Sequence, residues 1–331
     1  MVPNARFIEF LGDIEPSPTT KAASSAAHTD VRDYLQTHET FSDRWVHDFL
    51  AGSYARDTAL RPRTVEGEIE RADIDVCIET DHERSDRPDD VLSDLCEVLS
   101  EEFDVERMNK RSVRIWMPKA DVDVVLLIAD GDRYLIPDRD LDDWKPTNPP
   151  GHVSWSVDQN RLFGTRFKPL VKLVKWWRRE NPSGKRPKGF VIEVLVSLHG
   201  PRQQTHYGEA FAQTLEAIYD AYIGMANSGF MPFIEDPSIT GSDILSKVTL
   251  PQWKAFLEKC RVYGDIARRA QDSDDMDEAT RLWRRVFGDR FPKTASAAKA
   301  SVLASAFAAP AAPSYTFPNA PAAPARPRGF A

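Results

Sequence analysis

The sequence predicts a bilobal α+β protein in which a helical lobe follows a mixed α/β lobe. Strand-length apolar runs and helical patterns alternate over residues 1–150, and helical periodicity dominates residues 151–292. Residues 293–331 contain no acidic residue and are rich in Ala and Pro, which is typical of a flexible tail. We therefore expect two lobes and a tail with these boundaries.

Composition and charge narrow the class of protein. The 331-residue chain is 41% apolar and carries a net charge of −8, which argues against a surface that binds nucleic acid along its whole length. Its three cysteines lack zinc or disulfide spacing and favour a reducing compartment. Neither a signal peptide nor a membrane span is apparent in the sequence, so we expect a cytoplasmic protein.

The first lobe is predicted to contain two helices, a strand, a turn and then further strands around one amphipathic helix. These elements are a helix near Phe7–Leu11, a helix from Ser17 to Leu35, strands at Trp45–Leu50 and near Asp73, a helix at Pro88–Phe103, and strands at Val105–Met108, Ser112–Met117 and Asp121–Ile128. The charged stretch Thr64–Arg71 is expected to be a mobile loop. Asp138–Gly151, which is acidic and then Pro-rich, is expected to be the crossing between the lobes.

The second lobe is predicted from helical periodicity, because strand patterns nearly vanish beyond Trp155. The helical candidates are Leu162–Arg179, Phe190–Leu198, Ala210–Ile223, Pro251–Ala270 and Asp275–Phe287. We expect these helices to pack into a separate lobe.

A Gly-Ser pair and two aspartates stand out in the first lobe. Gly52 and Ser53 follow the apolar run Val46–Leu50, where the backbone N–H groups of a strand-to-helix turn can hold a phosphate. About twenty residues later, Asp73 and Asp75 lie on one face of a strand because side chains alternate with period two. Aligned carboxylates are costly unless a cation lies between them. The stretch indicates metal-assisted nucleotide chemistry.

A second acidic strand offers the third carboxylate. Asp121 and Asp123 share a face at the start of an apolar run that ends at Ile128. We prefer Asp123 because it lies deeper in the run, and Asp121 stays the alternative. Two metal ions held by such a set would activate an attacking hydroxyl, and Asp123 is a candidate general base. The competing interpretation is a pair of acidic, solvated strand ends.

A basic helix is the third feature. Nine Lys or Arg and one acid lie between Arg166 and Lys188. Four of the basic residues share a predicted helix face, namely Lys168, Lys172, Lys175 and Arg179. This face would bind a triphosphate from the second lobe, although such a charge run is also typical of a solvated surface. Phe190 follows the run and suits either base stacking or core packing.

Together these residues resemble the polymerase-β-type nucleotidyltransferases. More narrowly, they resemble the group that contains cyclic GMP-AMP synthase, the 2′,5′-oligoadenylate synthetases and their bacterial relatives, the CD-NTases of anti-phage CBASS systems. The motifs that carry the resemblance, which runs from about Phe7 to Pro292, are Gly52-Ser53, Asp73-x-Asp75, Asp123, Phe167–Trp177, Asn148–Gly151, Glu235–Pro237, Trp283, Phe287-Gly288 and Phe291-Pro292.

The resemblance implies a bilobal polymerase-β-like fold and a catalytic first lobe. Asp73, Asp75 and Asp123 would bind two Mg²⁺ or Mn²⁺ ions. The nucleotide-binding residues would be Gly52, Ser53, Lys172, Lys175 and Phe190. The product would be a cyclic di- or trinucleotide made from ATP and other NTPs, which activates a downstream effector.

The resemblance also bears on partners. The chain lacks a Cys/His zinc ribbon and is acidic, so we expect no activation by duplex nucleic acid. Its end, Arg328–Ala331, looks like a C-terminus that a ubiquitin-transfer-like enzyme conjugates to targets at Ala331, although an ordinary disordered tail fits equally well.

Two other functions are compatible with the motifs. The first is a toxin-like transferase that adds nucleotides to RNA ends or protein side chains. The second is a catalytically inactive nucleotide-binding scaffold, which the retention of costly aligned acids argues against.

Overall fold

The computed structural model describes residues 1–65, 68–184 and 186–293, so the predicted tail beyond residue 293 lies outside the described residues. The helices are α1 Asn4–Ile14, α2 Pro18–Thr37, α3 Gly52–Ala55, α4 Pro88–Ser100, α5 Pro149–Leu162, α6 Phe167–Glu180, α7 Gly189–His199, α8 Tyr207–Asn227, α9 Leu250–Asp272 and α10 Met276–Phe287. The strands are β1 Trp45–Ala51, β2 Thr64–Val65, β3 Glu68–Ile69, β4 Ala72–Thr80, β5 Asp104–Met108, β6 Val113–Met117, β7 Ala120–Asp130, β8 Arg133–Asp138, β9 Asp143–Thr147, β10 Glu235–Asp236 and β11 Ile239–Asp243. None of these helices is long and apolar enough to cross a membrane.

A mixed sheet forms the centre of the first lobe, with the strand order β1-β4-β7-β6-β5. β4 and β7 are parallel, and the register places Asp73 beside Asp121 and Asp75 beside Asp123. The alternate residues Ile74 and Val122 are fully buried in the core that α2 and α4 cover. The period-two alternation therefore sends apolar residues into this core and the aspartates to the opposite face.

The second lobe is helical, as its periodicity predicts. Its core joins α6, α7, α8, α9 and α10 around buried aromatic residues such as Trp177 and Phe211. α1 belongs to this core too, because Phe7 contacts Trp283 edge-on with ring centroids 4.9 Å apart and Phe10 packs on Phe287. The chain thus begins on the second lobe and crosses to the first lobe at α2. The predicted boundary at residue 150 had assigned α1 to the first lobe.

Two predicted connections contain regular structure. The stretch expected to be a mobile loop, Thr64–Arg71, contains the short antiparallel pair β2–β3. The predicted crossing, Asp138–Gly151, contains β9 and the first residues of α5. Pro149 and Pro150 begin that helix, because proline suits the first helical position. The Asn148 side chain caps the helix by accepting a hydrogen bond from the Gly151 N–H at 3.0 Å.

A buried ion cluster joins the two lobes. Glu193 on α7 is fully buried and accepts two hydrogen bonds from Arg56, at 2.9 and 3.0 Å. The same carboxylate accepts from the Thr58 hydroxyl at 2.9 Å and from Lys175 Nζ, on α6, at 2.7 Å. Burial by itself would raise the pKa of Glu193, but the charges of Lys175 and Arg56 and their hydrogen bonds lower it to about 2. The segment after the Gly-Ser turn is thereby attached to the helical lobe.

We expect Glu193→Gln to lower the free energy of unfolding at pH 7 by about 3–5 kcal/mol, because it leaves two buried cations without their partner. The wild-type carboxylate loses its charge as the pH falls from 4.5 toward 2, so the difference between variant and wild type should shrink over that range. Urea unfolding at pH 7 and pH 3.5 measures both effects.

Glu278→Gln is the matched control. It removes an i,i+3 pair with Arg281 on the surface of α10 and should cost about 0.5 kcal/mol. Equal losses of stability in the two variants would contradict a special role for the Glu193 cluster.

Candidate active site

The turn after β1 requires glycine. Gly52 has φ +65°, and a Cβ atom there would lie 1.7 Å from Asp75 Oδ2. Both the left-handed backbone and this close approach exclude a side chain. The turn thus lies directly against the carboxylate of the neighbouring strand, and Ser53 follows it at the cleft.

Four aspartates, Asp73 and Asp75 on β4 and Asp121 and Asp123 on β7, lie on one sheet face, as the strand pattern predicts. Asp73 is exposed at the start of β4, whereas Asp123 is only 8% exposed. Burial, together with the charges of Asp73 and Asp123, raises the pKa of Asp75 to about 6. Mutual repulsion of this kind is expected where carboxylates converge without a bound cation.

The two candidates for the third carboxylate share Arg114 but differ in their other partners. Asp121 pairs with Arg71 and lies 3.6 Å from Arg114 Nη1. Asp123 accepts hydrogen bonds from Asn109 Nδ2 at 3.0 Å, from the Ser112 hydroxyl at 3.1 Å and from Arg114. Asp123 is therefore the more firmly oriented of the two, and it is the one that stands beside Asp75.

Arg114, on β6, is the residue of this cluster that sequence reasoning missed. It donates to Asp73 at 2.7 Å and also to Asp123. These bonds and the neighbouring carboxylate charges outweigh the effect of burial and raise its pKa. The available signal was the single basic residue between two apolar ones in Val113–Ile115, which the antiparallel register brings opposite Asp123.

The donor chemistry of the cluster fits Mg²⁺ or Mn²⁺, which prefer carboxylate oxygens. Among the residues that the structure describes, no three His, Cys, Asp or Glu side chains are oriented closely enough to form a ready metal-ligand group. The guanidinium of Arg114 is bonded to the carboxylate oxygens that a metal would use. Asp73, Asp75 and Asp123 are the residues that would hold the ions.

A cleft of about 1040 Å³ lies between the lobes beside this cluster. Residues from both lobes line it, and those with polar or charged side chains include Thr20, Ser24, Ser53, Thr58, Glu70, Arg71, Asp73, Arg114, Asp121, Lys175, Arg178, Arg179 and Lys188. Its volume is at the upper end of the range for small-molecule sites, about 300–1,000 Å³. Its acidic residues all come from the first lobe, which also contributes Arg71 and Arg114, whereas the charged residues from the second lobe are all basic.

The prediction of an open cationic face on the basic helix is wrong. Lys172 is only 3% exposed, and its ammonium group bonds Glu15 at 2.9 Å and Asp57 at 3.3 Å. Lys175 lines the cleft but donates to Glu193 and Thr58, and burial lowers its pKa. Both charges are therefore neutralised within the protein.

Arg179 is a better-placed cation than sequence reasoning recognised. It lines the cleft, and its guanidinium stacks on Trp176 at 4.2 Å from the ring centroid. Nη1 donates to the Arg61 carbonyl at 3.0 Å, while Nε and Nη2 have no hydrogen-bond partner among residues 1–65, 68–184 and 186–293. Both of these nitrogens are buried, so a ligand in the cleft would reach them only after the side chain shifts.

Phe190 lies outside the cleft lining. Its ring packs edge-on against His152 and Trp155, and the Arg56 guanidinium lies 5.0 Å from its centroid. Of its two predicted roles, this placement fits core packing, since the ring helps to cover the Arg56–Glu193 pair.

The chain is similar to known enzymes along its length. The model of the Second Messenger Oligonucleotide or Dinucleotide Synthetase domain matches residues 1–160. The cyclic AMP-AMP-AMP synthase of Acinetobacter sp. (strain ATCC 27244 / 9458) is 43% identical over 337 residues, which cover 100% of this chain and 98% of that protein.

Solved structures show the same fold at low sequence identity. E. coli MS115-1 CdnC with ATP has a TM-score of 0.68 at 20% identity and covers 88% of this chain and 99% of CdnC. The Bradyrhizobium diazoefficiens CD-NTase CdnG in complex with GTP has a TM-score of 0.71 at 15% identity, over 90% of this chain and 97% of CdnG.

These similarities and the paired acidic strands beside a Gly-Ser turn confirm the predicted family and the bilobal polymerase-β-like fold. The chain belongs to the bacterial CD-NTases, the nucleotidyltransferases that synthesise cyclic oligonucleotides.

Proposed function

We propose that this enzyme joins adenylates from ATP into a cyclic trinucleotide. The observation that supports the chemistry is the set of aspartates on two parallel strands, of which Asp73 and Asp121 line the interlobe cleft with Ser53. The choice of adenine and of a three-membered ring rests on the 43% identity to a cyclic AMP-AMP-AMP synthase.

The nucleotide would lie between the two faces of the cleft. Ser53 contributes a hydroxyl that makes no hydrogen bond within the described part of the chain, and Arg179 contributes a guanidinium that borders the cleft. We assign these two residues to the triphosphate, while Gly52 lets the turn approach Asp75. Lys175 borders the same space and would join them only by leaving Glu193 and Thr58. Lys172, which is enclosed by its ion pairs with Glu15 and Asp57, helps to hold α6 in place.

Asp73, Asp75 and Asp123 would hold two Mg²⁺ or Mn²⁺ ions. When bound, such ions supply a Lewis acid for the phosphoryl oxygens and lower the pKa of the attacking hydroxyl. Asp123 already accepts hydrogen bonds from three residues, Asn109, Ser112 and Arg114. The general-base role predicted for Asp123 therefore requires that these donors release it.

We further propose that the enzyme acts in the cytoplasm and that its product activates an effector in anti-phage defence. The support is the family membership, together with the negative net charge, which opposes activation by a duplex nucleic acid. A further proposed interaction is conjugation of the C-terminus by a ubiquitin-transfer-like enzyme.

Purified enzyme incubated with the four NTPs and Mg²⁺ is expected to yield a phosphatase-resistant cyclic product whose mass, by mass spectrometry, corresponds to three adenylates. Asp75→Asn should reduce the rate about a thousandfold or more, because losing a metal-ligating charge removes several kcal/mol of transition-state stabilisation.

Asp130→Asn is the matched control, since Asp130 ends β7, the strand paired with β4, and pairs with Arg133 away from the cluster. It should keep full activity. Labelled RNA or protein in place of a small product would favour the toxin-like transferase, and activity that survives Asp75→Asn would overturn the proposed site.

Product formation is also expected to depend on a divalent cation. Treatment with EDTA should stop synthesis, and Mg²⁺ or Mn²⁺ should restore it, because the acid cluster needs compensating charge to accept a triphosphate. The readout is product per unit time at fixed ionic strength. Undiminished synthesis in EDTA would contradict the assignment of the aspartates as metal ligands.

Conjugation of the C-terminus gives a separate prediction. If a ubiquitin-transfer-like enzyme attaches Ala331 to targets, deleting Phe330 and Ala331 should abolish covalent adducts in cells that contain the partner enzymes. Synthesis of the cyclic product by the purified protein should stay unchanged, which serves as the internal control. Adducts that persist after the deletion would show that the tail is an ordinary linker.

A further inference from the structure

Arg114 occupies the centre of the acid cluster because of strand pairing. β6 runs antiparallel to β7 with Arg114 opposite Asp123, and residues paired in this way share a sheet face. Nη2 donates to Asp73 Oδ1 at 2.7 Å and to Asp123 Oδ2. Nε lies 3.3 Å from Asp123 Oδ1, and Nη1 lies 3.6 Å from Asp121 Oδ2. One guanidinium thus reaches three of the four carboxylates.

The other cations near the cluster are already engaged. Arg71 pairs with Asp121, and its guanidinium lies 5.3 Å from the centroid of the Trp116 ring. Arg56 is held by both oxygens of Glu193. Four aspartates therefore face two guanidinium groups, Arg71 and Arg114, and the cluster keeps an excess of negative charge. Without Arg114 that excess would be larger by one charge in a site where water reaches only part of the surface.

Arg114 and a divalent cation need the same atoms. Mg²⁺ binds carboxylate oxygens at about 2.0–2.1 Å, and an N–H donor already directed at the same oxygen blocks that approach. The oxygens that Arg114 uses belong to Asp73 and Asp123, two of the three proposed ligands. Arg114 is 17% exposed and borders the cleft, so its side chain has space to leave the carboxylates.

We propose that Arg114 is a built-in counter-ion that orients Asp73 and Asp123 in the metal-free enzyme and must release them before a divalent cation binds. This inference rests on the proposed function, because it takes the aspartates as metal ligands. It makes Arg114 a positioning residue that lowers the affinity of the site for the metal. The affinity for the metal then depends on how much more strongly the cation binds these carboxylates than Arg114 does.

The test is a titration of the nucleotide-free protein with Mn²⁺, followed by the electron paramagnetic resonance signal of the free ion. Arg114→Gln is expected to bind Mn²⁺ about tenfold more tightly than the wild type, because a hydrogen bond between charged groups no longer has to be broken. Arg114→Lys, whose ammonium group is a compact point charge without the planar fork, should fall between the two.

Arg133→Gln is the matched control. It removes one positive charge from the same lobe at an exposed pair with Asp130 and should leave the Mn²⁺ affinity at the wild-type value. A uniform rise in affinity across both charge-removing variants would reflect net charge alone and overturn the inference. A purely structural Arg114 would give Arg114→Gln equal or weaker Mn²⁺ binding, which also overturns it.

Two further results separate this inference from the proposed function. If Arg114→Gln does not fold, Arg114→Lys decides, since tighter Mn²⁺ binding supports the inference and equal or weaker binding overturns it. If the wild type makes the cyclic product and Arg114→Gln binds Mn²⁺ no more tightly, only the role of Arg114 fails. If the folded wild type binds no Mn²⁺ at millimolar concentration, both the inference and the metal assignment fail.

Discussion

The buried carboxylate of Glu193 is the interaction on which both sides of the cleft depend. It takes hydrogen bonds from Arg56 and Thr58, which follow the Gly-Ser turn of the first lobe, and from Lys175 of the second lobe. Separating the lobes would leave these buried charges without partners, which costs several kcal/mol. The cluster thus holds the two lobes together. The cluster therefore sets the spacing between Ser53 and the basic helix, where we propose that the triphosphate binds.

The second constraint is the repulsion among aspartates that share one face of β4 and β7. The protein reduces it with hydrogen bonds from Asn109 and Ser112 to Asp123 and with the guanidinium of Arg114. Gly52 brings backbone rather than side chain against Asp75, which keeps the site compact. Burial, together with the charges of Asp73 and Asp123, still raises the pKa of Asp75.

Positive charge is distributed differently from the simple picture of a cationic helix. Lys172 and Lys175 form buried ion pairs, and their main physical role in this conformation is to hold neighbouring elements together. Arg179 stacks on Trp176 and borders the cleft, and its buried Nε and Nη2 have no partner in the described part of the chain. A guanidinium that can still form bonds suits phosphate recognition better than an ammonium group that is already bonded to carboxylates.

The sequence by itself determined the order of most helices and strands, the two-lobed division and the motifs Gly52-Ser53, Asp73-x-Asp75 and Asp123, because these depend on local periodicity and turn chemistry. It missed the hairpin strands β8 and β9, which at 6 and 5 residues are too short to carry a clear periodic signal. Only the tertiary structure decided which charges are free and which are paired. Arg114 meets the aspartates through strand register, Glu193 meets Arg56 across 137 residues of chain, and α1 joins the second lobe through packing. These contacts are long-range, and no pattern of neighbouring residues encodes them.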